Sequence, residues 1–90
     1  MNDEELQELL GSRAIIRVLT VLAEEGELHI SEVARKTRLN HLAVERCVER
    51  LRGLGLVEER RYGRVRILRP LFEELRITVR RGSGFKIEIR

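Results

Sequence analysis

Ninety residues make one domain and leave no room for a second core. Hydrophobic residues are 42% of the chain and charged ones 37%, which suits a globular protein with a heavily charged surface; no apolar run nears the roughly 20 residues of a membrane-spanning helix, and the acidic N-terminus does not read as a signal peptide, so a cytoplasmic protein is expected. The net charge of +3 hides an asymmetry, because residues 1–59 hold 8 basic and 12 acidic side chains, while residues 60–90 hold 10 basic and 3 acidic ones, the pattern of a late surface that faces a polyanion.

Asp3 to Leu10 is expected to be a short acidic helix or a loose lead-in, and Gly11-Ser12 a break followed by an N-cap. Ile15, Val18, Leu19 and Leu22 then recur at i, i+3, i+4 and i+7, the stripe of a helix with one buried face, widened by Ile16 and Val21. Gly26 suits a left-handed C-cap. Leu28-His29-Ile30 is too short for a helix and alternates in polarity, which predicts a short strand with His29 pointing away from its apolar neighbours. Ser31 is expected to cap a second helix, with Glu32 in its first turn, Val33 and Ala34 inward, and Arg35, Lys36 and Arg38 near its negative end.

Asn40 caps a third helix in this scheme, and Val44, Cys47, Val48 and Leu51 repeat the helical stripe until Gly53 and Gly55 stop it. Leu56 to Arg61 and Arg64 to Arg69 read as strands joined by a tight turn at Tyr62-Gly63, with Val65 and Ile67 on one face and Arg64, Arg66 and Leu68 on the other. After Pro70 two patterns compete: Leu71, Phe72, Leu75 and Val79 fit a helix, whereas Leu75, Ile77 and Val79 alternate as in a strand. Arg81-Gly82-Ser83-Gly84 is a turn, and Phe85, Ile87 and Ile89 alternate with Lys86, Glu88 and Arg90 as a final strand.

The expected fold class is α+β: a winged helix-turn-helix, with a three-helix core, a short strand and a two-stranded wing, plus a C-terminal strand or hairpin. The expected organisation is a lead-in over 1–11, the winged helix-turn-helix over 12–69 and an extension over 70–90 that serves dimerisation. That order of elements offers one helix to a major groove and a positive hairpin to the backbone beside it.

The same residues carry a family resemblance. Ile15 to Leu22 looks like the first helix of the winged helix-turn-helix transcriptional regulators of archaea and bacteria, the broad group that includes arsenical-repressor-type and antibiotic-resistance-repressor-type proteins. Ile30-Ser31-Glu32-Val33-Ala34 resembles the entry into their second helix, Val44 to Leu51 their recognition helix, and Leu54-Gly55-Leu56-Val57-Glu58-Glu59-Arg60 their crossing into the wing, so the likeness covers Ser12 to Arg69. It implies that the exposed face of the third helix meets bases, here Asn40, His41, Ala43, Glu45, Arg46, Glu49 and Arg50. It also implies that the wing, with Arg60, Arg61, Tyr62, Arg64 and Arg66, lies on the backbone or in the minor groove. Glu45 and Glu49 depart from what a phosphate-hugging helix prefers, and the wing is short.

Each position also has a plainer role. Asn40 reads first as a cap, His41 and His29 as exposed side chains, and Tyr62 as a turn residue that packs on a sugar if DNA is bound. Glu45 can accept from a cytosine amino group, while Glu49 is expected to face away or pair with Arg52. Arg46 can fork onto guanine O6 and N7 or pair along its own helix. Cys47 sits on the apolar stripe as a small core residue with a thiol pKa raised by burial. The wing arginines crowd one hairpin, where phosphates would relieve their repulsion; protection of an open sheet edge is the alternative use of such charge.

The single cysteine excludes an intrachain disulfide, and two histidines at this spacing do not suggest a metal site. Without a glycine-rich phosphate loop, paired carboxylates or a nucleophile beside a histidine, no enzymatic activity and no cofactor are expected. Three aromatic residues are too few for a platform on which single strands stack. Sixteen of the 18 basic residues are arginine, and Asn and Gln are scarce, a composition like that of heat-adapted proteins. The expected protein is a homodimeric double-stranded-DNA binder, a transcriptional regulator with no small-molecule ligand and no membrane partner; the alternative is a protein–protein module of the same fold within a larger assembly.

Overall fold

The computed structural model describes residues 3–90. Four helices come first and four of the five strands last, with all strand pairing antiparallel, so the chain is α+β. Helix α1 (Asp3–Leu10) leads into α2 (Arg13–Glu25), which starts where the Ser12 hydroxyl accepts the Ile15 amide at 3.3 Å. Ile15, Val18, Leu19 and Leu22 form its buried face. Gly26 ends α2 at a φ of +80°, which only glycine adopts without strain, and its amide donates to the Leu22 carbonyl at 2.8 Å. Its ψ of −129° lies outside the left-handed helical basin expected for it, because the chain opens directly into a strand.

That strand, β1 (Leu28–His29), holds two residues, since Ile30 already belongs to α3 (Ile30–Thr37). The N-cap of α3 is therefore His29, two positions before the expected Ser31. Strand pairing holds His29 extended, and its Nδ1 accepts the Ser31 amide at 3.0 Å, with Ser31 Oγ at 2.7 Å from the same nitrogen. His29 is thus half-buried and engaged rather than simply exposed. Arg38 leaves α3 in the left-handed conformation, φ 61° and ψ 23°.

Helix α4 (His41–Gly53) begins at Asn40, whose Oδ1 accepts the Ala43 amide at 2.8 Å, and buries Val44, Cys47, Val48 and Leu51. Strands β2 (Val57–Tyr62) and β3 (Val65–Pro70) follow, and β1 adds to the far side of β3 in the order β1-β3-β2. Tyr62 pairs with Val65, so the turn is Gly63-Arg64, one residue later than Tyr62-Gly63; Gly63 takes the positive φ of 63° that a two-residue hairpin turn demands. The competition after Pro70 resolves as a strand. β4 (Leu75–Arg80) pairs with β5 (Gly84–Ile89), Ile77 opposite Ile87, as a separate hairpin.

The core lies where α2, α3 and α4 meet the sheet. Val18, Leu22, Val33, Val44, Leu51 and Leu68 have essentially no exposure, joined by Leu9 of α1 and by Leu56 and Val57 of the crossing. Leu68 reaches this core from the β3 face that also carries Arg66, while Val65 and Ile67 lie on the outer face and Val65 is exposed. The molecule extends 50 × 23 × 21 Å. Its radius of gyration of 13.6 Å exceeds the roughly 12 Å of a compact chain of this length. No helix among the described residues is long and apolar enough to cross a membrane.

Candidate nucleic-acid interface

A helix that buries positions 44, 47, 48 and 51 turns positions 42, 46, 49 and 53 outward, at 100° per residue. Leu42 is 60% exposed and precedes Arg46 by one helical turn, which makes a leucine the most conspicuous outward group of the N-terminal half of α4. Charge alone does not single Leu42 out; its signal in the sequence is the i, i+4 spacing to Arg46, and an apolar side chain so placed suits a thymine methyl. Arg46 is exposed and has no ion pair among the described residues, so its guanidinium is available.

The other expected positions of α4 divide by flank. Glu49 and Arg50 are exposed beside α1, where they line a shallow groove with Glu5, Glu8 and Leu9; Glu49 makes no ion pair with Arg52. Ala43 is half-buried and Asn40 holds its cap. His41 Nε2 lies 3.8 Å from Glu45 Oε1 on the flank that faces the sheet.

That flank carries the dominant electrostatic feature. Arg66 of β3 forks onto two carboxylates: its Nε and Nη2 donate to Glu59 at 3.1 and 2.9 Å, and its Nη1 and Nη2 both donate to Glu45 of α4, the latter at 3.2 Å. Arg61 lies opposite Arg66 in the sheet, and its Nε donates to Glu59 at 2.8 Å, so Glu59 separates two cations that would otherwise repel. The Glu59 side chain is 3% exposed. Hydrogen bonding from Arg66 outweighs the effect of burial and brings its pKa down to about 2, with Arg61 helping. Hydrogen bonding from Arg66 likewise lowers the pKa of Glu45, and the two carboxylates raise that of Arg66, Glu59 contributing most.

This latch brings two of the expected site residues together. Arg66 directs its guanidinium at the carboxylates of Glu45 and Glu59, and Glu45 accepts from Arg66. The expectation of four mutually repelling wing arginines gives way, because carboxylates interleave them. Arg60 Nε donates to Glu58 at 2.5 Å, and Glu58 foremost, then Tyr62, hold the Arg60 pKa above its ordinary value. Arg60 and Arg61 nevertheless use only Nε in these bonds, and their side chains are 52% and 66% exposed, so both remain accessible from solvent. Arg64, moved into the turn by the observed register, is exposed without an ion pair among the described residues, and Tyr62 is exposed beside it.

The arrangement can therefore present Leu42 and Arg46 to a groove while Arg60, Arg61 and Arg64 meet a backbone, with Arg66 locking the angle between them. The fold recurs in the crystal structure of a possible transcriptional regulatory protein (fragment 1-100) from Mycobacterium bovis, which aligns with a TM-score of 0.65 at 27% identity over 74% of this chain and 71% of that one. The chain shares a regulator-like fold. No family model matches it, and no curated protein does either. Cys47, on the inward face of α4, is buried, and burial raises its thiol pKa against a smaller opposing effect of Arg50. Among the described residues, no group of three or more His, Cys, Asp or Glu side chains is placed to hold a metal ion.

Proposed function

We propose that residues 12–69 form a winged helix-turn-helix that binds double-stranded DNA as a transcriptional regulator. In this arrangement α2, α3 and α4 are its three helices, α4 enters the major groove through its N-terminal half, and the β2–β3 hairpin is the wing. The observation that carries it is the latch between Glu45, Arg66 and Glu59, which ties the helix and the hairpin together and leaves Arg46 and the tip arginine Arg64 uncommitted. The recurrence of the fold in a possible transcriptional regulatory protein supports the same assignment. Leu42 and Arg46 then read bases, while Arg60, Arg61 and Arg64 contact phosphates. Arg50 lies at the edge of this footprint, next to acidic α1, and Asn40 contributes as a cap.

A protein–protein module is the second reading, favoured by one observation: carboxylates neutralise three of the four wing arginines within the chain. Titration of duplex binding with salt separates the two. A DNA-binding wing with Z phosphate contacts gives a slope of about −0.9Z in log K against log salt. About three contacts per chain predict a slope of about −2.7, or about −5.4 for a two-fold dimer. A flat response, or no retardation of any duplex at low salt, overturns the DNA reading and promotes the protein module.

A further inference from the structure

The β4–β5 hairpin puts Leu75, Ile77 and Val79 of one strand and Phe85, Ile87 and Ile89 of the other on a single face, because residues opposite each other in an antiparallel pair share a side. No charge interrupts that face. Helix α1 lies against β5, but the β4 half stays open: Val79 is 79% exposed and Ile77 45%. An isolated two-stranded hairpin is marginally stable in water, and an open apolar strand invites a partner.

The same chain supplies what that face lacks. At the base of the hairpin, Leu75 forms one wall of an apolar groove of about 240 Å³ shared with Leu10, Ile16, Leu19 and Phe72. Acidic Glu73 and Glu74 rim this groove. The far end is basic: Arg80 and Arg81 stand at the turn, and neither they nor Glu73 have an ion pair among the described residues.

We propose that a second copy of this chain covers the face in a two-fold arrangement with strands reversed, the axis passing at the level of Ile77 and Ile87. Two residues either side of that axis exchange places, so Val79 of one copy meets Leu75 and the groove of the other, and Arg81 reaches the other's Glu73. Basic tip over acidic base makes the surface self-complementary only in this direction. The open β4 half of the face is about 20 Å long and 5 Å wide, and with the groove two copies bury less than the roughly 1,200 Å² of a standard interface, so the dimer is a concentration-dependent one.

The proposal does not rest on DNA binding, and its test uses the full chain without DNA, so its failure leaves that reading standing. Sedimentation across about 10–500 μM is expected to show monomer converting to dimer. Val79→Asp is expected to stay monomeric throughout, with β4–β5 amide exchange unchanged, since the site is exposed in one chain. Arg81→Glu should weaken association about tenfold, and adding Glu73→Arg should restore it to within about threefold. Lys86→Glu, on the polar face, should change nothing. A wild-type chain that remains monomeric, a Val79→Asp chain that dimerises like wild type, or a charge exchange without rescue would each overturn it.

Discussion

The two hairpins of this protein have strands of the same length and tight turns, and they differ in what the inward-alternating positions carry. In β2–β3 one face holds Val57, Glu59 and Arg61 against Pro70, Leu68 and Arg66, apolar next to the core and charged beyond it. In β4–β5 one face holds six apolar residues and no charge. The first is completed by its own chain, because Glu45 on α4 supplies the acceptor Arg66 needs. The second is left incomplete, with Val79 largely in water. Backbone geometry alone does not decide the role of a hairpin; the chemistry of one face does, by setting whether its missing partner is a carboxylate, a phosphate or another apolar surface.

The contrast can be broken at three places. The largest effect is expected in the core on which the first hairpin rests. Leu51 is completely buried among α2, α4 and the sheet, and Leu51→Ala should cost about 2–5 kcal/mol in urea unfolding, through lost burial and the cavity left behind. A loss below about 1 kcal/mol would show that α4 does not anchor the domain.

The second place is the latch. The Glu59 pKa falls from 4.5 to about 2 on folding, so its contribution is fully present above about pH 4.5 and disappears as pH drops toward 2. Glu59→Gln is therefore expected to lower stability by on the order of 2–3 kcal/mol at neutral pH, with the gap to wild type closing between pH 4.5 and 2. A gap that does not vary with pH would mean that the charge of Glu59 is irrelevant and only its packing counts. An equivalent experiment has no target in β4–β5, whose apolar face does not titrate.

Third, Arg46 and Arg64 distinguish reading from holding. Arg46→Ala should remove about 1–3 kcal/mol of preference between the best duplex and a scrambled one. Arg64→Ala should instead weaken both duplexes alike and reduce the salt slope by about one. Identical behaviour of the two variants in a competition assay would rule out base reading by α4.

How much of this was legible depends on the range of the interaction concerned. The stripes Ile15, Val18, Leu19, Leu22 and Val44, Cys47, Val48, Leu51 are local patterns and give α2 and α4 directly, as do the caps Ser12 and Asn40. The cap of α3 was misplaced because His29 and Ser31 both carry an acceptor, and the choice is made by pairing of Leu28 with Leu68, forty residues away. The turn of the β2–β3 hairpin falls one residue later than expected for a similar reason, since Tyr62 and Arg64 are both plausible beside Gly63 and cross-strand register decides. Residues 75–80 satisfied two periodicities until β5 supplied a partner. The latch is not visible in the sequence: Glu45 and Arg66 are 21 positions apart, and only the packing of α4 against the sheet brings these two expected site residues together as counter-ions.

The buried thiol of Cys47 has a practical corollary. It is 5% exposed, and burial raises its pKa, so at neutral pH it offers little thiolate to an alkylating reagent while the domain is folded. The chain is thus close to a cysteine-free background in the native state. A fluorophore placed through a new cysteine at Arg64 or Val79 would report on one hairpin tip alone, and the appearance of a second reactive thiol would time the opening of the core.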